Sequence, residues 1–95
     1  MTIFTSRVIV LFNKKTSIRL SLIEWDILDN ICRRENLKRN KLIEKIIQSK
    51  KPEVGMTQAV RLFVLVYLYR QNLQSNPIFF TRNQVLTATL MEISQ

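Results

Sequence analysis

Histidine is absent from this 95-residue chain, cysteine and glycine occur once each, and proline occurs twice. Without histidine there is no imidazole to act as a general base or to complete a Cys/His zinc site. The one thiol, Cys32, can close no internal disulfide. It falls on an apolar helical position, which suits a small packed side chain rather than a reactive one. The scarcity of glycine and proline disfavours an all-β sandwich or barrel, which needs many tight turns. There is also no glycine-rich phosphate loop and no carboxylate pair with a reason for a displaced pKa. An enzyme is therefore the least favoured class, and no cofactor or metal is expected. Long hydrophobic runs are missing too. "LFVLVYLY", Leu62–Tyr69, is far too short to span a bilayer. The N-terminal "MTIFTSRVIVLF" is interrupted by Arg7, with no basic residue before its apolar run and no small-residue cleavage site after it. The expectation is a soluble, cytoplasmic protein with no membrane partner.

The chain does contain apolar residues, 46% of the total, enough for a core, and a formal net charge of +8. The charge is unevenly placed. Residues 1–51 hold twelve of the fifteen Lys/Arg and five of the seven acids, a net of +7, which leaves +1 for residues 52–95. A basic N-terminal half joined to a near-neutral C-terminal half points to an anionic partner met by one end of the molecule.

Val8 to Phe12 is a β-branched apolar run that suits a strand, with "NKK" as a break after it. From Lys15 the alternation is clear: Thr16, Ile18 and Leu20 share one face, and Lys15, Ser17 and Arg19 the other. "SLIE", Ser21 to Glu24, then has the form of a capping box. Trp25, Leu28, Ile31 and Cys32 recur at helical spacing, so a first helix is expected to end near Glu35–Asn36. A second helix carries the stripe Leu42, Ile43, Ile46 and Ile47. Its start holds Lys38, Arg39 and Lys41, positive charge where the helix macrodipole disfavours it. A docked anion would reverse that penalty, because the free N–H groups and the side chains would then act together. After the linker Ser49–Gly55, Thr57 is placed to cap a third helix that is apolar on nearly every face between Val60 and Tyr69, Arg61 excepted. Such a helix needs cover on more than one side, and a partner subunit is the economical source. Ser75–Pro77 reads as a break. Thr81–Gln84 fits a capping box before a short helix through Val85, Ala88, Met91 and Ile93, although "VLTATL" suits a strand nearly as well.

A lone strand leaves its backbone groups unpaired. Two identical chains pairing their Lys15–Leu20 segments antiparallel would complete each other, and a two-stranded ribbon fits the major groove of B-DNA. At this point the residues resemble a known family. "TSIRLSLIEWDILDNICRRENLKRNKLIEKI" followed by "TQAVRLFVLVYLYR" is similar to the ribbon-helix-helix DNA-binding proteins, and among them to a small bacterial subfamily. The marks are Ser17-Ile18-Arg19-Leu20, Trp25, Leu28, Ile31, Asn40, Leu42-Ile43 and the run from Ala59 to Leu65, and the resemblance covers about Lys14 to Arg70. It implies a mainly α protein with one short N-terminal strand, an intertwined homodimer with an intersubunit antiparallel ribbon, and extra C-terminal helices. It further implies that Lys15, Ser17 and Arg19 contact bases. Lys14, Lys38, Arg39, Asn40 and Lys41 would contact phosphates. Ile18, Leu20, Trp25, Leu28, Ile31, Leu42, Ile43 and Ile46 would form the dimer core. One departure stands out: the second helix, commonly capped by Ser or Thr in this family, has Lys38 at that position.

The corresponding division is an N-terminal extension with room for an extra strand (1–13), a ribbon-helix-helix core (14–50), a linker (51–56), a third helix (57–74) and a C-terminal segment (75–95). The expected partners are double-stranded DNA and a second copy of the chain, with higher assembly on DNA a known habit of the family. The expected role is a transcriptional regulator. The alternative is an antitoxin-like interaction module whose residues 71–95 hold a partner protein. A peripheral protein on anionic membrane fits less well, because the charges divide between a strand and a helix start rather than lining one amphipathic helix.

Overall fold

The computed structural model describes residues 3–73 and 82–95. Two strands, β1 (Phe4–Leu11) and β2 (Lys14–Ser21), precede four helices: α1 (Leu22–Glu35), α2 (Arg39–Ser49), α3 (Met56–Leu73) and α4 (Arg82–Ile93). The strands form one antiparallel ribbon, with Leu11 opposite Lys14 at the turn and Phe4 opposite Ser21 at the base. The strand expected over Val8–Phe12 is thus present, and it begins four residues earlier.

β1 of the same chain pairs along one edge of β2. The Leu22 N–H bonds the Ile3 carbonyl at 3.0 Å, so the hydrogen-bonded rungs are Ile3–Leu22 and every second pair from it, and the backbone groups of Lys15, Ser17 and Arg19 point to the opposite edge of β2, where a second copy of the strand could pair. The connection between β1 and β2 is a two-residue turn, Phe12–Asn13, with φ of 50° and 66°. Positive φ at both central residues is the signature of the turn whose twist matches a right-handed β-ribbon. Asparagine enters this region readily; phenylalanine does so only with strain. The Phe12 N–H donates to Glu44 Oε2 at 2.9 Å, which ties the tip of the ribbon to α2.

Alternation then sorts the ribbon into two faces. Ile9, Leu11, Ile18 and Leu20 are buried against the helices, while Ser6, Val8, Val10, Lys15, Ser17 and Arg19 are exposed. β2 packs on α1 and α3, and β1 on α2. The eight residues assigned to a dimer core, Ile18, Leu20, Trp25, Leu28, Ile31, Leu42, Ile43 and Ile46, are all buried within this one chain. At roughly 1.5–3 kcal/mol for each fully buried large aliphatic side chain, they account for much of the drive to fold. Cys32 is buried with them, and burial pushes its thiol up to about 11, so it stays protonated and unreactive.

The first capping box is present. The Ser21 hydroxyl accepts from the Glu24 N–H at 3.1 Å, and Glu24 Oε1 accepts from the Ser21 N–H at 2.8 Å. α1 ends at Glu35, with Asn36 in the left-handed region at φ 56°. Lys38 stands at the start of α2 in extended conformation and makes no side-chain cap. α3 starts one residue ahead of the expected Thr57 cap, because the Gly55 carbonyl already accepts from the Ala59 N–H at 2.9 Å. Its apolar girth is covered mostly from within: Ala59, Val60, Phe63, Val64, Val66 and Tyr67 are buried. The segment containing "VLTATL" is helical, with Val85, Thr89 and Ile93 turned inward. The break at Ser75–Pro77 and the cap at Thr81 lie outside the described residues.

Two outcomes follow. Phe12→Gly should raise unfolding stability by about 0.5–1 kcal/mol, since glycine enters the left-handed region without strain while the backbone bond to Glu44 remains. A loss of stability in denaturant titration would contradict the turn. Burial raises the Glu24 carboxyl, but the Ser21 backbone N–H, Arg61 and the Ser21 hydroxyl outweigh it and hold the group below its ordinary value. Its stabilisation is therefore complete above the unfolded-state pKa and is lost as pH falls through the lower folded-state value. Glu24→Gln should be less stable at neutral pH and lose a smaller share of its stability on acidification, read by thermal melts from pH 7 to 3.

Candidate nucleic-acid interface

Neither strand contains an acidic residue, and the first carboxylate in the chain is Glu24. On the outer face of the ribbon, Lys15, Ser17 and Arg19 lie along β2 at every second position, and all three are exposed. The structure therefore brings together the three residues assigned to bases. Lys14 is exposed beside the turn. Lys14 and Lys15 make no ion pair with any described residue, so their charge is directed to solvent. The Arg19 guanidinium lies 5.7 Å from the centre of the Phe4 ring, which steadies it.

Arg61 reaches the same ring from α3, at 5.6 Å, while its Nε donates to Glu24 Oε2 at 2.7 Å. The lone charge on the apolar helix is thus an ion pair that ties α3 to the first turn of α1. With the Arg61 side chain half exposed, that pair fixes geometry more than it adds stability.

The start of α2 approaches the ribbon through Trp25. The indole N–H donates to the Thr5 carbonyl of β1 at 2.9 Å. Arg7 from β1 and Arg39 from the first turn of α2 both stack on this ring, at 4.9 and 5.1 Å from its centre. Arg39 is further held by Asp29, Nε to Oδ1 at 2.9 Å and Nη2 to Oδ2 at 2.8 Å. Of the residues assigned to phosphate, Arg39 is therefore already engaged within the chain, with about a third of its side chain exposed. Lys38 is exposed and has no ion pair with any described residue. Lys41 is exposed and lies 3.6 Å from Glu44. Asn40 is half-buried, and its Oδ1 accepts from the Lys41 N–H at 2.9 Å, which occupies one of the amides a helix start leaves free.

Several participants carried no clear signal. Arg7 looked like a mere interruption of an apolar run, yet it belongs to the Trp25 cluster. Val8 and Val10 share the exposed face with Lys15 and Ser17, and Phe4 supports Arg19. The period-2 pattern of β1 was blurred because apolar side chains occur on both of its faces. Among the described residues there is no grouping of His, Cys, Asp and Glu able to hold a metal ion, and no helix long and apolar enough to cross a membrane.

Comparison with known proteins gives one match. The chain fits the family model described as a ribbon-helix-helix domain over residues 4–68. Neither the curated proteins nor the solved structures yield a match. The matched span starts at the first residue of β1, ten residues ahead of the segment whose motifs carry the resemblance, and it ends inside α3. It takes in both strands, the capped helix and the basic helix start, and on that ground the chain belongs to the ribbon-helix-helix domain family.

Proposed function

We propose that the protein is a sequence-specific DNA-binding transcriptional regulator acting as a homodimer through insertion of a β-ribbon in the major groove. Members of the family are generally DNA-binding regulators or antitoxins. The observation that carries the reading is an acid-free ribbon face on which Lys15, Ser17 and Arg19 stand exposed in one line. Arg19 suits two-point bonding to guanine O6 and N7, Ser17 bonds several base edges, and Lys15 donates to O6 or N7. Lys14, Lys38, Asn40 and Lys41 take phosphates. The partly exposed Arg39, braced by Asp29, adds positive field at the same helix start.

The proposed assembly is a homodimer. β1 pairs with one edge of β2, and the other edge, where the backbone groups of Lys15, Ser17 and Arg19 lie, is open to the same strand of a second copy. α3 also leaves Leu62, Leu65, Leu68 and Tyr69 exposed along one side, with Leu65 at 66% and Tyr69 at 62%, and Ile23 on α1 is equally open, at 65%. A second copy would cover exposed apolar residues of this kind. The antitoxin alternative has less support. α4 folds back on α2 and α3, with Val85, Thr89 and Ile93 buried, rather than extending as a free arm.

Arg19→Ala should weaken binding to a selected sequence by roughly 1–3 kcal/mol and relax preference at one base pair. Lys38→Ala should weaken all sequences alike and lower the salt slope by about 1. Competition binding across a salt series reads both, and wild-type affinity in Arg19→Ala would remove the ribbon from the mechanism. Leu65→Asp should halve the molar mass in light scattering while leaving the helical spectrum intact; an unchanged mass would place the dimer contact elsewhere.

A further inference from the structure

Arg7 is the one cation of β1, and strand alternation puts it on the inner face of the ribbon with Ile9 and Leu11. There it lies half-buried, its guanidinium 4.9 Å from the centre of the Trp25 ring. Arg39, from the first turn of α2, lies 5.1 Å from the same centre. Two guanidiniums thus share one indole, and only one of them meets a carboxylate. Asp29 holds Arg39 through two bonds, whereas Arg7 has no ion pair with any described residue. The cluster therefore keeps an excess positive charge beside a helix start that adds more of the same sign, since Lys38 makes no side-chain cap and the helix macrodipole is positive there. Like charges gathered this closely oppose one another until an anion joins them.

Resting on the reading that a β-ribbon enters the major groove, with the β2 strands of two copies paired along their open edges, we propose that Arg7 is a further phosphate-binding residue. Together with the start of α2 it would grip the sugar–phosphate wall beside the groove. Position separates this role from base reading. Neighbouring strands lie about 4.8 Å apart and the major groove is about 12 Å wide, so it takes two strands with their side chains. β1 is attached to the edge of β2 away from that pair, and α2 packs on β1. It falls over the wall of the groove, where the phosphates run, rather than over its floor. The side chain suits the task as well. A guanidinium binds phosphate in two-point fashion and stays charged. The Trp25 ring, itself tied to the Thr5 carbonyl at 2.9 Å, holds that guanidinium in place, so less side-chain freedom is lost on contact.

The test compares two variants. Arg7→Met keeps a contact with the Trp25 ring but no charge, and Arg7→Lys keeps the charge; melting curves confirm that both fold. Affinity is read by fluorescence anisotropy across a salt series, on a duplex selected from a random pool and on an unrelated one. Arg7→Met should weaken both by the same factor, roughly tenfold, as for a lost hydrogen bond to a charged group, and lower the salt slope by about 1 for each subunit in contact. Arg7→Lys should restore the slope. Single phosphates of the selected duplex are then replaced by uncharged methylphosphonates. At least one position flanking the groove should weaken the wild type and leave Arg7→Met unaffected. If Arg7→Met behaves as wild type while Lys38→Ala weakens both duplexes, Arg7 only braces Trp25 and this assignment alone fails. A loss confined to the selected duplex would make Arg7 a base reader, and equal losses in Arg7→Met and Arg7→Lys with the slope unchanged would make it a packing residue; either overturns the proposal. If Arg19→Ala and Lys38→Ala both bind as tightly as wild type, the nucleic-acid reading itself fails and takes the assignment with it.

Discussion

The ladder between β1 and β2 is the constraint on which the other parts of this molecule depend. It places Ile9 and Leu11 beside Ile18 and Leu20 on one buried face, and this sheet closes the helical core that one strand alone would leave open. It satisfies one edge of β2 inside its own chain, and every residue assigned to an intertwined dimer core is buried in a single copy. A two-residue turn with two positive φ angles holds the register, and a one-residue slip would send Ile18 and Leu20 to solvent. The Glu44 carboxylate then accepts from the Phe12 N–H and ties the ribbon tip to α2.

Trp25 does the corresponding work at the other end. Its indole bonds the backbone of β1, and guanidinium groups from β1 and α2 rest on its ring. Asp29 fixes one of those guanidiniums in two-point fashion. Electrostatics explains why this hub is needed. Lys38, Arg39 and Lys41 crowd a helix start whose dipole repels them, and only two of the three meet a carboxylate, Asp29 for Arg39 and Glu44 for Lys41. Lys38 replaces the usual hydroxyl cap with an exposed ammonium, a substitution that costs local helix stability of about 1 kcal/mol. The helix start thus keeps one uncompensated ammonium beside two paired cations.

Much of the architecture was legible because local physics and tertiary packing agree. The capping box at Ser21–Glu24, the helical spacing of Trp25, Leu28 and Ile31, and the stripe through Leu42, Ile43 and Ile46 each read the same in sequence and in structure. The exposed line of Lys15, Ser17 and Arg19 followed from strict alternation. The hairpin was hidden for a specific reason. A left-handed phenylalanine is a poor turn signal, so "FN" at positions 12 and 13 does not announce a tight connection between two strands. β1 also bears apolar residues on both faces, which erases the alternation that would have oriented it. For α3 the pattern correctly demanded cover on several sides, but it could not say that the ribbon, α1, α2 and α4 would supply most of it. Partners distant in sequence, such as Asp29 for Arg39 or Phe4 for Arg19, depend on distances that sequence spacing does not encode.

Drawing β1 and β2 from different stretches of one chain makes the two rails of the ribbon unlike: Val8 and Val10 stand exposed on one strand, and Lys15, Ser17 and Arg19 on the other. Strand alternation separates this outer face from the core, because the intervening Ile9, Leu11, Ile18 and Leu20 point to the helices and are buried. Side chains on the outer face can therefore change without disturbing the packing beneath them, whereas a change at Ile18 or Leu20 would open a cavity in the core.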